Sequence, residues 1–142
     1  MVAATFGQTL NRMSITALVI NYNAGQVLQR CVQSLIDSSV LTNIVVVDNA
    51  STDKSAQQLR HIYGHYPRLE VLFNPGNYGF ARAVNNAVRN LQSELILVIN
   101  PDCELHRNAL EFMQQAMQSD SSAALAAPLV VGLYTTDWPP EV

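Results

Sequence analysis

At 142 residues the chain has the size of one domain, and 49% hydrophobic with only 13% charged residues excludes general disorder and allows a real core. Its net charge of −3, without a dense Lys/Arg run, lacks the electrostatic footprint of a nucleic-acid binder and favours small-molecule partners. No apolar run approaches the roughly 20 residues of a membrane helix. Cys31 and Cys103 are too few for a disulfide framework and lack C-x-x-C spacing, which points to a reducing compartment.

The opening "MVAATFGQTLNRMS" has no basic stretch leading into a hydrophobic one, so it carries no visible export address. Residues 1–13 are expected to precede the domain, as an extension or ahead of an alternative start at Met13. "ITALVI", Ile15 to Ile20, is β-branched and apolar and stops at the turn-rich "NYNAG", which predicts the first strand. Between Gln26 and Ile36, Val27, Leu28, Cys31, Val32, Leu35 and Ile36 share one face at helical period, which makes Cys31 a core residue. "NIVVVDNASTD" repeats the pattern of strand then polar loop, followed by a weaker helix over Lys54 to Tyr66. "LEVLF" is the third strand and "NPGNYG" its loop. Phe80, Ala83, Val84, Ala87, Val88 and Leu91 then form the cleanest helical stripe. Leu95 to Ile99 is the fourth strand and Ala109 to Gln118 the fourth helix. "AALAAPLVV" predicts a fifth strand broken by Pro128, which cannot donate to a ladder.

This alternation predicts an α/β domain over 14–131 with a tail over 132–142: a mostly parallel sheet with helices on both faces. Ligands in such folds sit outside the carboxyl ends of the strands. There the sequence places "NYN" at 21–23, "DNASTD" at 48–53, "NPGNYG" at 74–79 and "NPD" at 100–102. No G-x-G-x-x-G follows the first strand, and neither a Walker motif nor a G-x-S-x-G elbow occurs, so dehydrogenase, P-loop and α/β-hydrolase chemistries have no anchor. A carboxylate at Asp48 can accept the N–H of a uracil or thymine ring, and an amide at Asn49 can both accept it and donate to a ring carbonyl. Asp102 suits Mg²⁺ or Mn²⁺, hard ions that take oxygens from one or two carboxylates and from substrate phosphates. His61 and His65 stand at i, i+4 without a third ligand and read as a solvated helix face.

"LVINYNAGQVLQRCVQSL", "IVVVDNASTDKS", "NPGNYGFARAVNNAV" and "LVINPDCEL", in this order, resemble the N-terminal half of glycosyltransferase family 2 and, within it, bacterial rhamnosyltransferase-like members. The resemblance covers Ile15 to about Val131. It implies a Rossmann-like GT-A fold and inverting transfer of a sugar from a UDP- or dTDP-linked donor, assisted by Mg²⁺ or Mn²⁺, to a glycan or lipid-linked acceptor. Carried over by position, Asp102 is the metal and diphosphate ligand, with Asn100 in the usually acidic first place of the D-x-D motif. Tyr22 matches an aromatic beside the base, Asp48 and Asn49 occupy a place often held by two Asp residues, and Asp53 completes that motif. Asn77, Gly79 and Asn85 match the surroundings of the donor sugar, and Arg82 is close enough in sequence to meet phosphate.

The family continues into an acceptor-side half that supplies the catalytic base, and no acid after Glu111 here matches that context. The chain is therefore expected to be a donor-binding half, truncated on the acceptor side, with its base unknown and little activity alone. The implied setting is cytoplasmic, with a homo-oligomer or peripheral association at the inner face of the membrane left open. A non-catalytic nucleotide- or partner-binding module is the alternative, and would bind without turnover. A structural fragment with an incomplete cleft would gain no stability from any nucleotide.

Overall fold

The computed structural model describes residues 13–130. Its elements alternate as β1 (Ile15–Asn21), α1 (Val27–Ile36), β2 (Asn43–Asp48), α2 (Ser55–Tyr63), β3 (Leu69–Phe73), α3 (Phe80–Val88), β4 (Leu95–Ile99) and α4 (Ala109–Ser119). All strand pairs are parallel, in the order β3-β2-β1-β4. Register sets Asn21 beside Asp48 and Asp48 beside Phe73, while Ile99 stands beside Val19. The carboxyl ends of all four strands therefore share one edge. The chain winds outward from β1 through β2 to β3, then α3 carries it back across the sheet to β4. Right-handed crossovers put α3 on the face opposite α1 and α2.

Each face is assembled from one parity of the strands. Leu18, Ile20, Val45 and Val47 pack with Ala83 and Ala87 of α3, and Val84, Val88, Leu91 and Ile96 join them. Two alanines on the stripe let α3 lie close to the sheet. On the other side α1 buries Leu28, Cys31, Val32 and Leu35, and α2 buries Ala56 and Leu59. The central strands are buried along nearly their whole length, whereas β3 and β4 are half-exposed. Truncating a fully buried central residue such as Leu18 costs about 2–5 kcal/mol.

The backbone contacts divide at Arg107, and α4 belongs to the second compact unit. Within that unit Asp120 ends α4, its carboxylate accepting from Ser122 N and Oγ at 2.9 and 2.6 Å. The strand expected from "AALAAPLVV" is not formed: residues 123–130 are irregular, and Pro128 withholds one of the amides a ladder would need. Helix α2 ends at Tyr63, short of the expected Tyr66, and α3 ends at Val88, short of its stripe at Leu91; beyond both, the chain tightens into i→i−3 turns (Tyr66 N to Tyr63 O at 2.8 Å, Leu91 N to Val88 O at 3.1 Å). The expectations for 1–12 and 131–142 lie outside the described residues.

Candidate functional site

Three of the four strand-end loops are sewn together by amides and small hydroxyls. Asn21, the last residue of β1, is fully buried, and the two N–H groups of its Nδ2 are shared among Asp48 Oδ1 (2.7 Å), Ser55 Oγ (2.9 Å) and Ser51 Oγ (3.1 Å). Its Oδ1 is buried with no partner among the described residues. Two residues on, Asn23 sits at φ 52° and accepts from Thr52 N at 2.7 Å and Asp53 N at 3.3 Å. Asp53 closes the stitch: its carboxylate accepts from Gly25 N at 2.8 Å and from Ser55 N and Oγ at 2.9 and 2.7 Å. Partial burial works to raise the Asp53 pKa, but the bonds from Ser55 and Gly25 prevail and hold it below the usual range.

Asp48 and Asn49 both stand at 2% exposure, turned into the protein. Asp48 Oδ1 takes the Asn21 amide and Oδ2 the Ser51 N–H at 3.2 Å. Asn49 clasps the loop after β3. Its Nδ2 donates to Asn77 Oδ1 at 2.8 Å, while its Oδ1 accepts from Asn74 Nδ2 and Tyr78 N, both at 3.1 Å. Asn77 Oδ1 also accepts from Gly79 N at 2.9 Å, which fixes the entry to α3. Gly79 takes φ 73°, ψ 166°, a region open essentially only to glycine. The guanidinium of Arg82 lies 4.8 Å from the centre of the Tyr78 ring, a cation–π contact on the exposed side of this loop.

The loop after β4 is a tight turn closed by Cys103 N donating to Asn100 O at 3.1 Å, with Pro101 and Asp102 at its corners. Pro101 suits the first corner because its ring presets φ. Asp102 is exposed, and the Cys103 thiol, 3.7 Å from Oδ1, is its one side-chain contact among the described residues. Cys103 is pushed up by burial first and by the Asp102 charge next. Cys31, at the core of α1, is pushed up to about 12 by burial, with smaller contributions from Cys103, Glu104 and Asp102.

The residues expected at a site thus fall into two sets. Tyr22 (51% exposed), Asn85, Asn100 and Asp102 point to solvent, and Asn85 and Asn100 have side chains without protein partners among the described residues. Asp48, Asn49, Asp53 and Asn77 hold loops to one another. Asn21, Asn23 and Ser51 are organisers that the motif reading passed over. For Asn21 the signal was a polar residue closing an apolar strand, where an unpaired amide is too costly to bury without partners; Asn23 and Ser51 lie in the loops beyond and carry no such signal.

The family described as glycosyl transferase family 2 matches residues 16–141. Hyaluronan synthase of Pasteurella multocida is 28% identical over 130 residues, covering 90% of this chain and 13% of that protein. Glycosyltransferase GlyG of Streptococcus pneumoniae serotype 4 is 27% identical over 121 residues, covering 84% of this chain and 38% of that protein. Among solved structures, the mannosyltransferase PcManGT from Pyrobaculum calidifontis, in complex with GDP-Man and Mn²⁺, superposes with a TM-score of 0.65 at 25% identity, over 71% of this chain and 31% of that one. S. aureus TarS superposes with a TM-score of 0.66 at 22% identity, over 75% of this chain, which bears on the fold alone. These neighbours are GT-A glycosyltransferases, and the parallel α/β sheet described above is that fold. The chain spans well under half the length of these relatives.

Proposed function

We propose that this chain, which belongs to glycosyl transferase family 2, binds the nucleotide diphosphate of a sugar donor across the carboxyl edge of its sheet, with Asp102 as the ligand of a divalent cation. The observation that carries the reading is the exposed Asp102 at a stiff turn on that edge, in a site whose other acids are committed to the protein. Its donor set fits such an ion: one free carboxylate beside a donor diphosphate, with phosphate and water oxygens completing the shell. Among the described residues no group of three or more His, Cys, Asp or Glu gathers into an all-protein metal cage. When bound, the cation supplies Lewis-acid stabilisation of charge on the departing diphosphate, a contribution of several kcal/mol to the barrier.

The chain's own residues then divide the work. Tyr22 offers its ring to the base, and the loops tied by Asp48, Asn49 and Asp53 shape the wall around it. A UDP- or dTDP-linked hexose or deoxyhexose such as rhamnose is the donor in this reading, with Asn77, Gly79, Asn85 and Asn100 nearest the sugar and phosphates. Transfer proceeds with inversion to a cell-surface glycan or lipid-linked acceptor, which needs a base on the face opposite the leaving group. The GDP-Man and Mn²⁺ bound to the Pyrobaculum calidifontis neighbour support a metal-assisted nucleotide-sugar site and favour Mn²⁺ as the first ion to try.

The test is calorimetric titration of UDP, dTDP and GDP, each with and without Mn²⁺, into the chain and into Asp102→Ala. Expected is Mn²⁺-dependent binding of a uracil or thymine nucleotide that weakens at least tenfold in the variant. Binding that ignores both the ion and the substitution would overturn the assignment of Asp102.

A further inference from the structure

The loop that carries Asp102 is held from one turn of a single helix. Cys31 Sγ donates to Asn100 O at 3.6 Å, the same carbonyl that closes the turn by accepting from Cys103 N at 3.1 Å. Downstream of the turn, Leu105 N donates to Ser34 Oγ at 2.9 Å, and the Ser34 hydroxyl in turn donates to Cys31 O at 2.7 Å. Between these anchors Arg30 Nε meets Glu104 Oε1 at 2.9 Å. Ser34 lies three positions from Cys31 and four from Arg30, and so is a helix-surface neighbour of both. The loop is thus gripped at the residues before and after Asp102, while the Asp102 carboxylate is left to solvent.

These grips differ in weight. The Arg30–Glu104 pair is about half exposed at both ends and adds little by itself. The Ser34 bond satisfies a backbone amide, and the Cys31 bond comes from a fully buried side chain that cannot swing away. A metal ligand delivers its affinity only if its carboxylate is already where the ion needs it, and partners that orient a ligand typically change metal affinity by 10–100-fold.

We infer that Cys31 and Ser34 of α1 are positioning residues for the cation-binding carboxylate, fixing the Asn100–Leu105 loop so that Asp102 meets a metal-bound diphosphate in its binding geometry. The inference rests on the reading of Asp102 given above. It assigns the buried cysteine a task beyond filling the core, as a thiol donor to the turn that precedes the ligand. Neither residue touches the ion or the nucleotide.

The experiment separates positioning from packing. Mn²⁺ is titrated into the UDP-saturated chain with water-proton relaxation as the readout, and UDP is titrated in EDTA by calorimetry, for the wild type, Cys31→Ala, Cys31→Ser, Ser34→Ala and Asp102→Ala. Expected is about tenfold weaker Mn²⁺ binding in Cys31→Ala and Ser34→Ala, metal-free UDP affinity within twofold of wild type, and a smaller Mn²⁺ loss in Cys31→Ser, which keeps a donor facing Asn100 O. Parallel losses with and without Mn²⁺ mean that the substitutions only loosen the fold, and overturn the inference. So does unchanged Mn²⁺ affinity in Cys31→Ala and Ser34→Ala alongside loss in Asp102→Ala. If Asp102→Ala itself leaves Mn²⁺ binding intact, the proposed metal site falls, and this inference with it.

Discussion

Asn49→Asp changes the chemistry of one atom in a buried clasp while keeping its shape. Asp preserves the acceptor that Asn74 Nδ2 and Tyr78 N share at 3.1 Å, but sets an oxygen 2.8 Å from Asn77 Oδ1, where Asn49 Nδ2 now donates. Asn77 cannot answer by turning its amide, because its Oδ1 also takes the Gly79 N–H at 2.9 Å. One hydrogen bond is lost either way, a net 0.5–1.5 kcal/mol by the usual range, and a carboxylate at a 2%-exposed position adds a desolvation penalty. Together these give about 2–4 kcal/mol, or roughly 10 °C in Tm for a domain of this size. The introduced carboxyl has a folded pKa above its unfolded value, since its protonated form alone restores a donor to Asn77. The stability it retains is therefore greatest at low pH and is lost as pH rises through the folded pKa. Urea denaturation at pH 7 and pH 4.5, with the slope unchanged, measures both effects. A loss below about 0.5 kcal/mol at pH 7, or the same loss at both pH values, would refute the clasp.

Two further outcomes are expected. Gly79→Ala meets no atom within 4 Å of the added Cβ, so its cost is backbone strain alone at φ 73°, ψ 166°, about 1–3 kcal/mol; an unchanged urea midpoint would mean that the turn into α3 is not held there. Cys31, pushed up to about 12 from 9.0 chiefly by burial, resists iodoacetamide at pH 8 in the folded chain, and its contribution to stability is full below pH 9 and lost as pH rises toward 12. Mass spectrometry reads the alkylation, and rapid labelling of Cys31 under native conditions would contradict its burial.

The fold was legible because strand and helix periods do not compete here. "ITALVI", "LEVLF" and "LILVI" have no helical reading of useful length, and Ala83 with Ala87 can serve only a face pressed close to a sheet. The failure at "AALAAPLVV" has a local cause: the run is apolar enough for a strand, but alanine has little strand preference and Pro128 removes a donor. Helix ends were overrun because apolar residues such as Leu91 continue the stripe past the last helical hydrogen bond and still pack on the core cluster. At the strand ends, the motifs named the loops but not the direction of each side chain. A polar residue after a buried strand can face the ligand or tie the loop, and spacing alone does not distinguish these. Burial and partners do.

That distinction also gives the amide of Asn49 a structural reason. An Asp there would set carboxylate against Asn77 Oδ1, so the amide at 49 and the amide at 77 are complementary choices at one contact of 2.8 Å. With the carboxylates of Asp48 and Asp53 engaged in loop ties, Asp102 is the strand-end carboxylate without a backbone or amide tie among the described residues. A cation drawn to this edge meets one available carboxylate and must take its other oxygens from elsewhere. In the proposed reading the diphosphate of the donor supplies them, and ion and nucleotide are then mutually dependent ligands. Each should bind more weakly without the other, by the same factor in both directions.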